Sequence, residues 1–157
     1  MAAKNDLDQK AAHKYLSANC FNKAWDLIDK EPRTPEEDEQ MVRLTHTSHY
    51  HWTQRPEYSS TNASIGYWQT SRIYAILEQP KNAIHYGSLC LQASQQEGVP
   101  PFYLGYAYEA LARAAAVAGN HQDMAIYLEK ARAAANEVQE EDERKMLLGD
   151  LESIKIV

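Results

Sequence analysis

Ala63-Ser64-Ile65-Gly66-Tyr67-Trp68-Gln69-Thr70-Ser71-Arg72 and, further along, Leu104-Gly105-Tyr106-Ala107-Tyr108-Glu109-Ala110-Leu111-Ala112-Arg113 are the stretches whose comparison decides the fold. Laying the second on the first sets Tyr108 on Tyr67 and Arg113 on Arg72, and the same register carries on to Met124 on Ala83, Tyr127 on Tyr86 and Ala131 on Cys90. The break Glu78-Gln79-Pro80 falls on Gly119-Asn120-His121. Both copies carry apolar residues at helical spacing on either side of the break, so each reads as helix, short turn, helix.

Helical periodicity continues outward from this pair, and no stretch alternates in the two-residue rhythm of a half-buried strand. The expected fold class is all-α, with about eight helices. A first helix is expected over Asp6–Ser17, with Leu7, Ala11, Ala12, Tyr15 and Leu16 on one side. A second, Phe21–Lys30, buries Phe21, Ala24, Trp25 and Ile28. Glu31-Pro32-Arg33-Thr34-Pro35 breaks the chain, because proline cannot continue a helix as donor. Thr34 then caps a third helix that reaches Gln54, with Pro35 at its first position and acids against the positive dipole end. After a serine-rich loop, Asn62 is expected to cap a fourth helix over Ala63–Glu78. The fifth runs over Lys81–Glu97, with Gly98 as its left-handed cap. The sixth (Phe102–Ala118), seventh (His121–Glu137) and eighth (Glu140–Ile154, with Leu147, Leu151 and Ile154 in a stripe) complete the chain.

The duplicated unit resembles the tetratricopeptide repeat. In the first copy Tyr67, Tyr74 and Ala83 fit that pattern, while Thr70 and Ser71 stand where Leu and Gly are usual. In the second, Tyr108, Leu111, Ala112 and Ala131 fit, and Met124 replaces a small residue. The period of 41 exceeds the family's roughly 34 residues. The resemblance implies antiparallel hairpins stacked as a right-handed superhelix within a single helical-repeat domain over 1–157. Residues 63–97 and 102–137 would be the repeats, 6–31 a degenerate hairpin, 35–54 an extra helix outside the alternation, and 140–155 a capping helix. It also implies a concave groove lined by the first helix of each pair. That face carries Ile65, Trp68, Gln69 and Arg72, then Tyr106, Glu109 and Arg113, with His13 at the arginine position of the degenerate unit.

The 157 residues, 44% hydrophobic and 24% charged with six glycines and six prolines, fit one domain of ordinary size. The formal charge of −6 argues against a grip on nucleic acid or anionic lipid. No apolar run approaches the roughly 20 residues that span a bilayer. The polar start Met1-Ala2-Ala3-Lys4-Asn5-Asp6 has no signal-peptide core, so a cytoplasmic location is expected and the acceptor-like Asn62-Ala63-Ser64 carries no weight. Cys20 and Cys90 lie far apart in the sequence and inside apolar helical patterns, as reduced, buried thiols do.

Catalytic signatures are missing: there is no phosphate loop, no nucleophile elbow, no H-E-x-x-H and no cysteine pair at metal spacing. No catalytic residue, metal or cofactor is therefore assigned, and a non-enzymatic role is favoured. The densest polar-aromatic cluster is Thr45-His46-Thr47-Ser48-His49-Tyr50-His51-Trp52. His46 and His49, three apart, can point the same way, but with no third ligand named by the sequence they read as packing residues or a polar pocket wall ahead of metal ligands. Arginine beside tryptophan and tyrosine can grip a carboxylate bidentately while the rings cover its apolar body. The expected ligand-binding groove is thus His13, His46, His49, Trp52, Trp68, Arg72, Tyr106, Glu109 and Arg113. Trp68, Arg72 and Glu109 line one cavity, with His46 or His49 on its rim. The expected partner is a protein or peptide, with a homodimer through the first helix also open. The alternative is a small-molecule- or metal-binding protein, or an enzyme, with its pocket between the third helix and the repeat.

Overall fold

Helix ends are set by side chains that satisfy the first free amides. In the computed structural model Thr34 caps the helix that opens at Pro35: Glu37 N–H donates to Thr34 Oγ1 at 3.2 Å, and Glu37 Oε2 accepts from Thr34 N–H at 2.9 Å. Ser59 and Asn62 repeat that reciprocal arrangement, so Ser59, not Asn62, is the cap of the next helix. Asn120 accepts from Asp123 N–H, and Glu140 from Asp142 and Glu143 N–H. Proline occupies the first turn of three helices, where its missing donor costs nothing.

The structure describes residues 2–155, with side chains from Asp8 onward, so the side chain of Leu7 lies outside the described residues. They form seven helices and no strand: α1 (Ala2–Ile28), α2 (Pro35–Thr53), α3 (Ser60–Ile76), α4 (Pro80–Ser94), α5 (Pro101–Val117), α6 (His121–Asn136) and α7 (Glu141–Glu152). The expected break between Ser17 and Phe21 does not occur. Nothing in Ser17-Ala18-Asn19-Cys20 forbids a helix, since Ser and Asn each cost only about 0.5 kcal/mol relative to Ala in a helix interior. Ser17, Cys20, Ala24 and Ile28 make one continuous buried stripe along α1. That stripe packs on α2, so residues 6–31 are not a hairpin, and the helix at 35–53 is not an extra element but the partner of α1.

Each helix packs on its neighbour in sequence, in the pairs α1·α2, α3·α4 and α5·α6. Contacts between α2 and α3, α3 and α5, and α4 and α5 join the pairs, while α7 lies against α5 and α6. Helix α3 opens at Ser60 and α5 at Pro101, and they close at Ile76 and Val117, the same offset that relates Tyr67 to Tyr108. The turns after them match as well. Glu78 (φ 56) and Gly119 (φ 72) are both left-handed, and the following amides reach back, Gln79 N–H to Tyr74 O and Asn120 N–H to Ala115 O, each at 2.9 Å. Glu78 holds without glycine's freedom a conformation that costs an L-residue about 1 kcal/mol. Gly98 is left-handed too (φ 85), but it lies in the loop past Ser94, where α4 has ended, and does not cap that helix.

Small side chains fill the crossings. Ala75, Ala83 and Ala114 form one buried cluster, and Ser71 Oγ donates to Ala83 O at 2.8 Å where α3 meets α4. Ala112, Ala116, Ala131 and Ala135 meet Leu147 and Leu151 of α7 and Ile154, which lies just past the end of that helix rather than within it as expected. The interior between α1, α2 and α3 is partly polar. Thr45 Oγ1 donates to Gln69 Oε1 and shares a hydrogen bond with Thr70 Oγ1, while Gln69 Nε2 donates to Phe21 O, all at 3.0 Å. No described helix is long and apolar enough to cross a membrane. Both cysteines are free and buried, and burial pushes the Cys90 thiol up to about 12.

Candidate functional site

Trp68 and Arg72 stand one turn apart on α3, and Tyr106, Glu109 and Arg113 follow the same spacing on α5, so the packing of α3 on α5 brings the five together. Glu109 is the hub. Its carboxylate is 1% exposed, accepts from Trp68 Nε1 at 2.8 Å and is paired with Arg113 Nε. Arg113 also donates to Asp150 O at 3.0 Å and Ser153 Oγ at 2.8 Å, which fastens the end of α7 to α5. Tyr106 Oη donates to Asp150 Oδ2 at 2.5 Å. Burial and that carboxylate hold the Tyr106 phenol above its ordinary range, so it remains a neutral donor.

The single cavity expected to be lined by Trp68, Arg72 and Glu109 is not formed: the network separates two depressions, with Trp68 lining one, Arg72 the other and Glu109 neither. One is a cleft of about 230 Å³ between α1, α3, α5 and α7, walled by Phe21, Trp25, Ile65, Trp68, Phe102 and Tyr106, with Ser64, Tyr103, Met146 and Asp150 at its margins. The other, about 250 Å³, is lined by Arg72, Arg113 and Lys155 beside Ala75, Ile76 and Val117. Burial and the charge of Arg113 lower the Arg72 guanidinium from its ordinary value, with Glu109 and Asp150 acting the other way. Among the described residues Arg72 makes no hydrogen bond or ion pair, while Arg113 is held by Glu109.

The histidines lie elsewhere. His46 shares a hydrogen bond with Tyr74 Oη at 3.1 Å and packs on Tyr86, and His49 meets Tyr58 Oη at 2.8 Å and the ring of Tyr67 at 4.4 Å. Both therefore face tyrosines away from Trp68 and Arg72, and neither reaches the rim expected for them. Burial lowers both imidazoles, and His49 is lowered further by His46. Trp52 carries Arg55 over its ring at 3.9 Å and lines neither depression. His13 does not stand beside the arginines: because α1 is unbroken, it sits opposite His51, with the Nδ1 atoms 2.7 Å apart. Among the described residues no three His, Cys, Asp or Glu side chains gather at ligating distance.

Apart from Ile65, Trp68 and Tyr106, the residues of the cleft escaped the sequence reading. Phe21 and Trp25 were expected only as core, and Asp150 only as part of a cap. Treating Pro32 as the turn of the first hairpin would have set the second half of α1 beside α3, and with it Trp25 beside Trp68, whose rings are 5.5 Å apart. Comparison with protein-family models, curated proteins and solved structures finds no match for this chain.

Proposed function

We propose that this protein is a non-catalytic binding module of tetratricopeptide-like architecture whose groove along α3 and α5 takes a segment of a partner protein, with a partner carboxylate at Arg72. The architecture rests on the matched spacing of α3/α4 and α5/α6, their left-handed turns, and the small residues at their crossings. The observation that carries the function is Arg72. A half-buried cation is costly to leave without a partner. A planar guanidinium in a depression with a second arginine at its edge suits a carboxylate held by two parallel hydrogen bonds. The interaction is a matter of recognition, since the site contains no nucleophile paired with a base.

The test is an array of acidic peptides read against the same peptides with Asp and Glu replaced by Asn and Gln. The wild type should prefer the acidic set, and Arg72→Ala should lose about 1.5–3 kcal/mol of that preference, the worth of a hydrogen bond to a charged group. Arg72→Ala and Arg113→Ala variants that bind every peptide as the wild type does would overturn the proposal.

A further inference from the structure

We propose that the aromatic cleft between α1, α3, α5 and α7 is a binding site for a methylated ammonium group, independent of the arginine pocket. The walls meet at steep angles. Trp68 and Tyr106 lie 5.6 Å apart at 85°, and Phe102 and Tyr106 5.0 Å apart at 69°. Trp25 lies alongside Trp68 with an interplanar angle of 32°. Such rings offer electron-rich faces from several directions, the arrangement that attracts a cation through the ring quadrupole.

Two walls are made more negative by their own hydrogen bonds. Trp68 donates its indole N–H to Glu109, and Tyr106 its hydroxyl proton to Asp150. Each donation points the electropositive edge of the ring at a carboxylate and raises electron density on its face. Asp150 is the one formally charged side chain in the lining of the cleft. Arg113 reaches its main-chain carbonyl and not its carboxylate, and Arg113 and Arg72 both line the other depression. The cleft therefore carries an acid that no cation of its own lining neutralises.

The choice between a bare and a methylated ammonium follows from the donors. A lysine ammonium carries three N–H groups and needs as many acceptors once out of water. Beyond Asp150, the side-chain acceptors in the lining are the hydroxyls of Ser64, Tyr103 and Tyr106, and that of Tyr106 is already bonded to Asp150. A trimethylammonium group has no N–H to satisfy, keeps the full charge and presents an apolar surface to the rings. At about 230 Å³ the cleft is smaller than the usual small-ligand pocket and suits a headgroup or side-chain terminus.

The test titrates the whole chain with choline, with 3,3-dimethylbutan-1-ol as its uncharged carbon isostere, with acetyl-trimethyllysine amide and with its unmethylated counterpart, following tryptophan fluorescence and the indole N–H resonances. Choline or the trimethyllysine amide should bind about tenfold more tightly than the isostere and the unmethylated lysine. Which of the two binds more tightly distinguishes a free small molecule from a modified side chain. Asp150→Asn should weaken the cation several-fold and leave the isostere unchanged, and Trp25→Leu, at a half-exposed wall, should weaken the cation without loss of helix. Equal binding of choline and the isostere, no binding of any methylated cation at millimolar concentration, or an Asp150→Asn protein that binds choline undiminished would each overturn the proposal. None of these results bears on Arg72, so the peptide-binding proposal stands or falls separately.

Discussion

Replacing Glu109 by alanine removes the acceptor on which the groove is organised. The carboxylate is buried at 1% exposure, and its two partners come from different places: Trp68 from α3 and Arg113 from one turn further along α5. After Glu109→Ala the indole N–H has no acceptor, and the Arg113 side chain, 14% exposed, keeps only Asp150 O and Ser153 Oγ. Removing one partner of a buried ion pair costs about 3–5 kcal/mol. Because Arg113 opens onto the second depression and can be hydrated there, the low end applies, about 3 kcal/mol. For a chain of this length that corresponds to a fall in Tm of about 6–12 °C.

Glu109→Gln separates charge from shape. An amide oxygen still accepts from Trp68, so only the charge-assisted part is lost, about 1–2 kcal/mol. Urea unfolding followed by circular dichroism measures both variants, and an unchanged m value shows that stability rather than the denatured state has moved. A double-mutant cycle with Arg113→Ala isolates the pair, which should couple by about 1–3 kcal/mol. A Glu109→Ala protein with the wild-type midpoint, or additive losses in the cycle, would refute the assignment of Glu109 as the hub.

Acidification should destabilise the fold as pH falls through about 6.5, the value of an unperturbed imidazole, and below. Burial holds His46 and His49 below 6.5, so the unfolded chain takes up protons first and stability falls as pH drops. A His46→Gln, His49→Gln variant should lose most of that slope in urea midpoints measured across that fall in pH, and stability that rises on acidification would contradict it. Gly105→Ala should destabilise by about 1 kcal/mol in the same assay, because the new methyl overlaps Leu147 Cδ2 and the overpacking cost exceeds the gain in helix propensity. Leu147 is fully buried and has no solvent to swing into, so a stabilised Gly105→Ala would mean that α7 docks differently.

The helices from α3 to α6 were legible because the chain punctuates them. Pro80, Gly98, the Pro100–Pro101 pair and Gly119 lie at or near their ends, and one register accounts for both pairs. The meeting of Trp68 with Glu109 followed from that register, while the separation of Arg72 into a second depression did not. The unbroken α1 was not legible, since Ser17 to Cys20 neither favour nor forbid helix strongly enough to decide. The direction of His46 and His49 was hidden for a different reason. The face of α2 that packs inward is Met41, Thr45 and Ser48, and two of those three are small polar residues satisfied by hydrogen bonds to Gln69, Thr70 and Ser17 O. A hydrophobic pattern does not reveal such a face, and the large apolar ring of Trp52 nearby points to the wrong one. The aromatic cleft needs α1, α5 and α7 brought together, which no local signal specifies.

The groove owes its chemistry to a mismatch within the register that relates α3 to α5. Trp68 and Glu109 occupy the same position in the two stretches, and they are the pair that hydrogen-bonds across α3 and α5. Identical residues there would not do: two indoles would face each other with donors and no acceptor, and two carboxylates would set like charges in a buried site. The arginines, by contrast, are alike in both stretches, at Arg72 and Arg113, yet the register supplies a single buried acid to pair with them. That acid lies one turn before Arg113 on α5 and takes it; the corresponding turn before Arg72 holds Trp68. Symmetry in the cations and asymmetry in the acid thus leave one guanidinium satisfied and the other open to the depression beside it.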